Sequence, residues 1–264
     1  MNQEHENLLK IKAYWNEQAA QFHGKSLATT PDSIAFNLEL QELIKHVTDG
    51  VSVLDVGCGN GIKGIELAKR IGCSYVGVDY AETMVKDAKA MLQQEQHMLR
   101  GDVQFLHGDI LSENFVTREM FDVVTTARCL INLGSLENQV IAVKKMHSLL
   151  KSSGMYLMFE NSFQPLENIN AVRKEFALSP IEVRWHNNYI DEMAFFPLIK
   201  QHFSLVATVN YASTYFLISR TLNALLTLPG GEIDYMSTLN HLAARLPPLG
   251  DYAPAKLFVL QKIG

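Results

Sequence analysis

From residue 51 onward, short runs of β-forming residues alternate with longer stretches of helical character. The run VSVLDV precedes IKGIELAKRIG, SYVGVD precedes AETMVKDAKAMLQQ, and FDVVTTA precedes SLENQVIAVKKMHSLLKSSG, while VQFLHGD and MYLMFEN complete five such runs. This alternation builds parallel β-α-β units, and strands that are apolar along their length are covered on both faces. We therefore expect an α/β fold with a mostly parallel sheet and helices on both faces.

Three segments lie outside this alternating core, which spans residues 46–161. They cover residues 1–45, 162–190 and 212–254, and we expect them to form a helical cap over the carboxyl ends of the strands, where ligands bind in open α/β sheets. The late run KLFVLQK is expected to be a last strand, antiparallel to the others. No repeat, low-complexity tract or linker divides the chain, so we expect a single domain over residues 1–264.

Capping residues predict where helices begin and end. Thr30 as N-cap, with Pro31 in the first turn, predicts a helix in TTPDSIAFNLELQELIKHV. Ser135 is expected to cap the helix that begins at Leu136. Gly154 follows LLKSS, where we expect the chain to turn from that helix toward the next strand.

Composition narrows the class of protein. The 264 residues are 47% hydrophobic, enough for a sizeable core, and the net charge of -5 argues against a nucleic-acid or anionic-membrane binder. Cys58, Cys73 and Cys129 lack the spacing of a disulfide framework or a zinc site. The amino-terminal residues do not resemble a secretion signal, and the apolar stretch 214–228 is interrupted by Arg220 and is too short to span a bilayer. We expect a cytoplasmic protein that binds neither membrane nor nucleic acid.

The stretch VLDVGCGNGIKG, from Val53 to Gly64, packs four glycines into eight residues and places Asp55 ahead of them. Together with Asp79 it formally satisfies a dinucleotide-binding pattern. A pyrophosphate at this loop would, however, be repelled by a buried carboxylate at Asp55, and an unpaired buried ion costs several kcal/mol. A nucleoside triphosphate is excluded more simply, because no G-K-[ST] follows the glycines.

S-adenosylmethionine resolves this conflict, because it carries an ammonium group and a sulfonium but no phosphate. Asp55 would bind the ammonium group, and Asp79, at the end of the second strand, would accept hydrogen bonds from both ribose hydroxyls. Asp109 would accept from the adenine amino group, with Ile110 packed against the ring. Each acid taken alone could instead be an ordinary loop or capping residue.

Four motifs in this order, VLDVGCGNG, YVGVDYAETMVKDA, FLHGDI and FDVVTTARCLINL, resemble the class I S-adenosylmethionine-dependent methyltransferases. The resemblance covers roughly residues 46 to 161. It implies a Rossmann-like sheet of seven strands whose last strand is antiparallel, in agreement with the KLFVLQK run. The residues expected to bind the cosubstrate are Asp55, Gly57, Cys58, Gly59, Gly61, Asp79, Tyr80, Met84, Gly108, Asp109, Ile110, Ala127 and Arg128.

Three residues are candidates for catalysis. Glu160 ends the fifth strand and is placed to act as a base, to bind an amine, or to pair with Arg128. Arg128 follows the fourth strand, where it would pair with an acid of the substrate or the cosubstrate; the alternative is a structural ion pair with Glu160 or another carboxylate. His186 is a candidate base, although a lone histidine is more often structural.

Polar and aromatic residues in the cap predict a pocket for a small molecule. Trp15, Tyr211 and Arg220 are cap candidates for which core packing is the default. No metal is expected. The residues after the fourth strand include no adjacent pair of carboxylates that could hold magnesium, and no histidine is spaced from acidic residues as metal ligands are. The predicted substrate-binding residues are Tyr14, Asn132, Arg173, Trp185, Asn187, Tyr189 and Tyr215.

The predicted reaction is in-line methyl transfer to oxygen or nitrogen of a small polar metabolite, a sugar derivative or a natural-product intermediate. One alternative is transfer or cyclisation of the aminocarboxypropyl group, which releases methylthioadenosine. A second is a protein that binds the cosubstrate without chemistry. The sequence makes no prediction of the oligomeric state.

Overall fold

The computed structural model describes residues 3–22, 31–113, 115, 120–227, 231 and 234–264, and their strands form one seven-stranded sheet. The sheet order is β3-β2-β1-β4-β5-β7-β6. The strand β7 is antiparallel to both β5 and β6, and the other neighbours are parallel, as the sequence predicts. The strands are β1 Ser52–Val56, β2 Ser74–Asp79, β3 Asp102–His107, β4 Phe121–Ala127, β5 Leu150–Asn161, β6 Phe203–Val209 and β7 Ala255–Lys262.

Helices cover both faces of this sheet. Successive residues of β1 point into different cores: Val53 packs with Leu157 on one face of the sheet, and Leu54 packs with Val124 on the other. The expected α/β fold is thereby confirmed. The helices are α1 Gln3–Phe22, α2 Ser33–Ile44, α3 Ile62–Ala68, α4 Glu82–Glu95, α5 Leu136–Leu149, α6 Phe163–Glu175, α7 Glu192–Ile199, α8 Ser213–Leu217, α9 Asn223–Leu226 and α10 Thr238–Ala243, with a π-helical turn Ile218–Leu222 joining α8 to α9.

The helix ends agree with the sequence in part. Ser135 caps α5 as expected, accepting a hydrogen bond from the Asn138 amide at 3.3 Å. The cap of α2 is Asp32, whose side chain accepts from the Ala35 amide at 3.0 Å; the predicted cap Thr30 lies outside the described residues. The turn predicted at Gly154 is wrong: β5 begins directly after α5, so Gly154 lies inside the strand.

Contacts among the cap segments tie the start of α2 to the late insert. The Asp32 carboxylate accepts from the Tyr215 hydroxyl at 2.8 and 3.0 Å and from the Arg220 guanidinium at 2.7 Å. Arg173 on α6 donates to the carbonyl of Arg220. Within the part of the chain that the structure describes, no helix has both the length and the apolar character needed to span a bilayer.

The sheet order reverses between β1 and β4, and this reversal creates a crevice at the carboxyl ends of the strands. The chain runs from β1 outward to β2 and β3, then returns to place β4 on the other side of β1. In open α/β sheets the two connections leave a gap outside the carboxyl ends of the strands at this point. The glycine loop after β1 enters that gap, with the Gly57 and Cys58 amides donating to the Val78 carbonyl at 2.8 and 3.1 Å.

Gly64 is expected to be intolerant of any side chain. A Cβ at this position would overlap the buried ring of Tyr75, so Gly64→Ala should lower the free energy of unfolding by about 1–3 kcal/mol, the usual cost of overpacking a core. The gain of alanine in helix propensity, about 1 kcal/mol, opposes this and is the smaller effect. Urea denaturation measures the change, with Gly72→Ala as control, because a Cβ there meets its nearest atoms at 3.4 Å. Equal stability of the two variants would contradict the prediction.

Candidate functional site

A cavity of about 830 Å³, counting the space at its open mouth, lies at the carboxyl ends of β1, β2 and β4. Its walls come from the glycine loop, from the ends of β2 and β4 with the residues that follow them, and from α1, α2, α3 and α4. Its position at the reversal of strand order is where an α/β fold binds its ligand. The lining residues are Trp15, Phe36, Gly57, Cys58, Gly59, Asn60, Ile62, Lys63, Asp79, Tyr80, Met84, Ala127, Arg128, Cys129 and Asn132.

The loop between β1 and α3 requires glycine at two positions. Gly57 has a φ of +78°, and a Cβ there would lie 2.7 Å from the Cβ and Sγ of Cys129. Gly61 has a φ of +77° at the start of α3, and a Cβ there would lie 2.6 Å from the ring of Phe105. The left-handed region strongly favours glycine, and the contacts exclude a side chain. The loop backbone therefore lies against the segment that follows β4.

Asp79 at the end of β2 has its carboxylate on the cavity wall. Its Oδ2 accepts from the Gly59 amide and its Oδ1 from the Ala81 amide, each at 2.8 Å. Burial raises the pKa of Asp79 to about 6, although both amides favour the charged form. Each carboxylate oxygen has two lone pairs, so each can accept one further hydrogen bond from a ligand.

Asp55 lies one layer deeper and does not line the cavity. It is buried, and its Oδ2 accepts a hydrogen bond from the Tyr75 hydroxyl at 2.6 Å. Gly64 leaves room for this hydroxyl, because a Cβ at Gly64 would lie 2.6 Å from its oxygen. Its Oδ1 has no hydrogen-bond partner among the described residues. Burial raises the pKa of Asp55, while Lys63 and the Tyr75 hydroxyl favour the charged form. The unsatisfied oxygen is a strong acceptor for any donor that reaches it.

A buried ion-pair network lies against the same wall. Glu39 on α2 forms an ion pair with Arg128 and a second one with Lys63, whose Nζ is 3.0 Å from its Oε1. The Tyr211 hydroxyl donates to Glu39 at 3.3 Å. Burial alone would raise the pKa of Glu39, but the two cations lower it to about 2. Of the alternatives left open by the sequence, Arg128 therefore has an ion pair with another carboxylate, Glu39.

Glu160 organises the loop that presents Arg128. Its Oε1 accepts from the Cys129 and Leu130 amides at 3.0 Å, and its Oε2 accepts from the Ile131 amide at 3.4 Å. Arg128 has a φ of +53°, a conformation that costs a residue with a side chain roughly 1–2 kcal/mol. Glu160 is fully buried and does not line the cavity, so these contacts make it a positioning residue; its role as a base stays untested.

The helix α1 covers the cavity through side-chain contacts along its length. The Trp15 indole donates to Asn132 at 3.0 Å, and Lys12 pairs with Asp109 while its ammonium lies 5.5 Å from the centre of the Tyr80 ring. Further along the helix, Ala19 packs against Ala81 and Met84 at the start of α4. The predicted adenine partner Asp109 is thus paired with a lysine of α1, and Trp15 forms part of the cavity wall.

His186 belongs to an aromatic cluster beside Trp15. Its ring stacks on that of Tyr14 at 4.5 Å and 25° and contacts Trp15 and Trp185 edge-on. Burial and the nearby Arg184 lower the pKa of His186, which favours the neutral imidazole. The cluster fixes α1 to the insert after α6 rather than lining the cavity itself.

The structure brings together some of the predicted site residues and separates others. The predicted cosubstrate residues on the wall are Gly57, Cys58, Gly59, Asp79, Tyr80, Met84, Ala127 and Arg128, and Asn132 is the predicted substrate residue there. Those that do not line this cavity are Asp55, Gly61, Gly108, Asp109, Ile110, Glu160, His186, Tyr14, Arg173, Trp185, Asn187, Tyr189 and Tyr215. The functional roles of both sets stay predictions.

Several residues that line the cavity were not predicted from the sequence. Asn60, Ile62 and Lys63 belong to the quoted glycine stretch, and Cys129 adjoins Arg128, so proximity to a motif would have found them. Phe36 on α2 carries no such signal. In the described ranges, no group of three or more His, Cys, Asp or Glu side chains is placed to hold a metal ion.

A family model described as a methyltransferase domain matches residues 47–196, more than half of the chain. The chain therefore belongs to the methyltransferase-domain family, and its predicted resemblance to the class I S-adenosylmethionine-dependent methyltransferase family is confirmed. The match leaves out α1 and α2, which supply Trp15, Phe36 and Glu39.

Individual proteins that are similar to this chain, at low sequence identity, are also methyltransferases. Demethylmenaquinone methyltransferase from Staphylococcus haemolyticus is 31% identical over 119 residues, which are 44% of this chain and 46% of that protein; the chain thus spans under half the length of this curated relative. Magnesium protoporphyrin IX methyltransferase from Synechocystis, with bound S-adenosylhomocysteine, has a TM-score of 0.60 at 14% identity, covering 97% of this chain and 100% of that one. N-methyltransferase NodS from Bradyrhizobium japonicum, in complex with S-adenosylhomocysteine, has a TM-score of 0.56 at 14% identity, covering 95% and 99%. These structures share the fold.

Replacing Glu160 by glutamine should remove a pH dependence of stability. Burial raises the pKa of Glu160 from 4.5 to about 7, so the folded state binds more protons than the unfolded state between these values. The wild-type free energy of unfolding should therefore fall, relative to Glu160→Gln, by on the order of 3 kcal/mol as the pH rises from 4.5 to 7. Urea denaturation across this range measures the difference, in which contributions from other groups such as Asp79 cancel. Parallel curves for the two proteins would contradict the prediction.

Proposed function

We propose that this chain transfers the methyl group of S-adenosylmethionine in line to an oxygen or nitrogen of a small polar metabolite, such as a sugar derivative or a natural-product intermediate. The observation that carries the proposal is the placement of Asp79. Its carboxylate lies on the cavity wall at the end of β2, oriented by the Gly59 and Ala81 amides, with acceptor capacity left for two vicinal hydroxyls. A ribose presents such a pair of hydroxyls.

The rest of the cosubstrate follows from this placement. Tyr80 and Met84 line the cavity next to Asp79 and offer apolar surface to the adenine. The amino acid end then points toward the glycine loop and Ala127, where Asp55 is the predicted acceptor for the ammonium group. Because Asp55 lies behind the wall, its Oδ1 would act through a bridging water or after a small shift of the loop.

Positioning is expected to supply most of the catalysis. Methyl transfer from a sulfonium to a neutral nucleophile disperses charge, and near-attack geometry can lower the barrier by about 7–11 kcal/mol. Trp15, Phe36 and Asn132 line the cavity as well and are candidates to hold the acceptor. An alcohol acceptor would gain from a base, whereas an amine needs less assistance; the predicted base His186 contacts Trp15 but does not itself line the cavity.

The small size of the acceptor is supported by the roof over the cavity. With α1 held by Lys12, Trp15 and Tyr14, the described walls enclose a space suited to a small molecule and not to a protein segment or a nucleic acid. The relatives named above are called methyltransferases of demethylmenaquinone and of magnesium protoporphyrin IX, which are small molecules.

The by-product identifies the reaction. The purified protein is incubated with S-adenosylmethionine carrying a labelled methyl group and with a metabolite extract, and both sulfur-containing product and labelled acceptor are identified by mass spectrometry. The proposal expects S-adenosylhomocysteine and a methylated small molecule. Methylthioadenosine would instead indicate transfer of the aminocarboxypropyl group, and cosubstrate binding without turnover over a range of acceptors would indicate a binding protein.

Removing the Asp79 carboxylate should weaken cosubstrate binding. We expect Asp79→Ala to lower the affinity for S-adenosylhomocysteine by ~1–3 kcal/mol, since two hydrogen bonds to the ribose are lost. Titration calorimetry measures the affinity, and circular dichroism shows whether the variant is folded. Asp102→Ala is the control, because Asp102 is an exposed acid at the opposite end of the sheet. This variant should bind S-adenosylhomocysteine as the wild type does. Unchanged affinity in Asp79→Ala would show that the ribose is held elsewhere.

A further inference from the structure

Two cations share one buried anion at the wall of the cavity. Lys63 on α3 and Arg128 after β4 both line the cavity, whereas their common partner Glu39 lies behind them and is buried. With both cations charged and Glu39 ionised, the trio carries one net positive charge. That charge faces the part of the cavity formed by the glycine loop and the residues after β4.

A site of opposite charge lies beside this trio. Asp55 is buried at the end of β1, next to the glycine loop, and its Oδ1 has no hydrogen-bond partner among the described residues. Burial raises the pKa of Asp55, and the charges of Lys63 and Arg128 oppose this. The cavity end formed by β1 and β4 thus has a positive element on its wall and, behind the wall, the carboxylate of Asp55. The α-amino acid group of S-adenosylmethionine has the complementary pair, a carboxylate and an ammonium.

Glu39 is what keeps the two cations at the wall. Without it, Lys63 and Arg128 would be neighbouring like charges with no shared anion, and they would repel each other. Arg128 itself has a left-handed backbone conformation, and the amides of the next two residues are held by Glu160. The Tyr211 hydroxyl fixes Glu39 in turn, with a hydrogen bond of 3.3 Å.

We propose that Glu39 is a positioning residue, which holds Lys63 and Arg128 as a cationic pair that binds the carboxylate of the amino acid end of the cosubstrate. This inference rests on the proposed function. Glu39 lies on α2, outside residues 47–196 that match the family model. It makes affinity depend on the amino acid end of the ligand.

The test compares two ligands that differ at that end. S-adenosylhomocysteine carries the amino acid group, and methylthioadenosine shares the adenine, ribose and sulfur but lacks it. Titration calorimetry gives the ratio of their affinities for the wild type, Glu39→Gln, Lys63→Met and Glu39→Asp. We expect Glu39→Gln and Lys63→Met each to weaken S-adenosylhomocysteine binding by about 10- to 100-fold, the effect of one or two charge-assisted hydrogen bonds, and methylthioadenosine binding by less than about 2-fold. Glu39→Asp keeps the charge and should recover part of the loss.

Glu42→Gln is the matched control, because Glu42 is a second buried acid on α2 that pairs with Lys45 and not with the cavity cations. It should leave the affinity ratio as in the wild type. An equal loss for both ligands in Glu39→Gln, or an unchanged ratio in a folded Lys63→Met, would overturn the inference while the proposed function stands. A wild-type protein that binds neither ligand would overturn the proposed function itself.

Discussion

Placing four carboxylates in the interior at one edge of a sheet is costly, and their partners determine how this site is organised. The Asp79 carboxylate accepts hydrogen bonds from two backbone amides, that of Glu160 from three, and that of Asp55 from a tyrosine hydroxyl. Glu39 has two cations and is therefore the one acid of the four whose pKa is lowered rather than raised. Amide-bound acids shape loops, and the ion-paired acid sets the charge of the cavity.

These acids act on two loops that meet at close range. The glycine loop follows β1, the Arg128 loop follows β4, and the two touch where Gly57 leaves room for Cys129. Asp79 holds the first loop through the Gly59 amide, and Glu160 holds the second through consecutive amides. Because the loops are fixed from two different strands, the distance between them follows from the sheet order and not from either loop alone.

The sequence predicts much of this fold because the signals are local. The bounds of β2 and β4 agree with apolar runs ended by polar residues, and the strand-end acids could be found from their position after each run. The partner of Arg128 could not be predicted, because Glu39 is 89 positions away on a helix whose register no motif fixes. Gly154 was misplaced because β5 begins directly after α5, at Leu150, and the apolar residues at this boundary do not indicate where the helix ends and the strand begins. Most of the predicted substrate-binding residues of the cap do not line the cavity; Arg173 and Tyr215, for example, donate hydrogen bonds to Arg220 and Asp32 in other segments.

The antiparallel β7 has a consequence for how the protein is made. It lies between β5 and β6, so β6 joins the sheet only through a strand that is translated later, beginning at residue 255. At synthesis rates of about 5–20 residues per second, the nascent chain holds β6 without its neighbour for a few seconds. During that interval β5 presents an open edge, which is a template for wrong pairing. The part of the sheet beyond β5 can therefore be completed only after residues 255–262 have been synthesised.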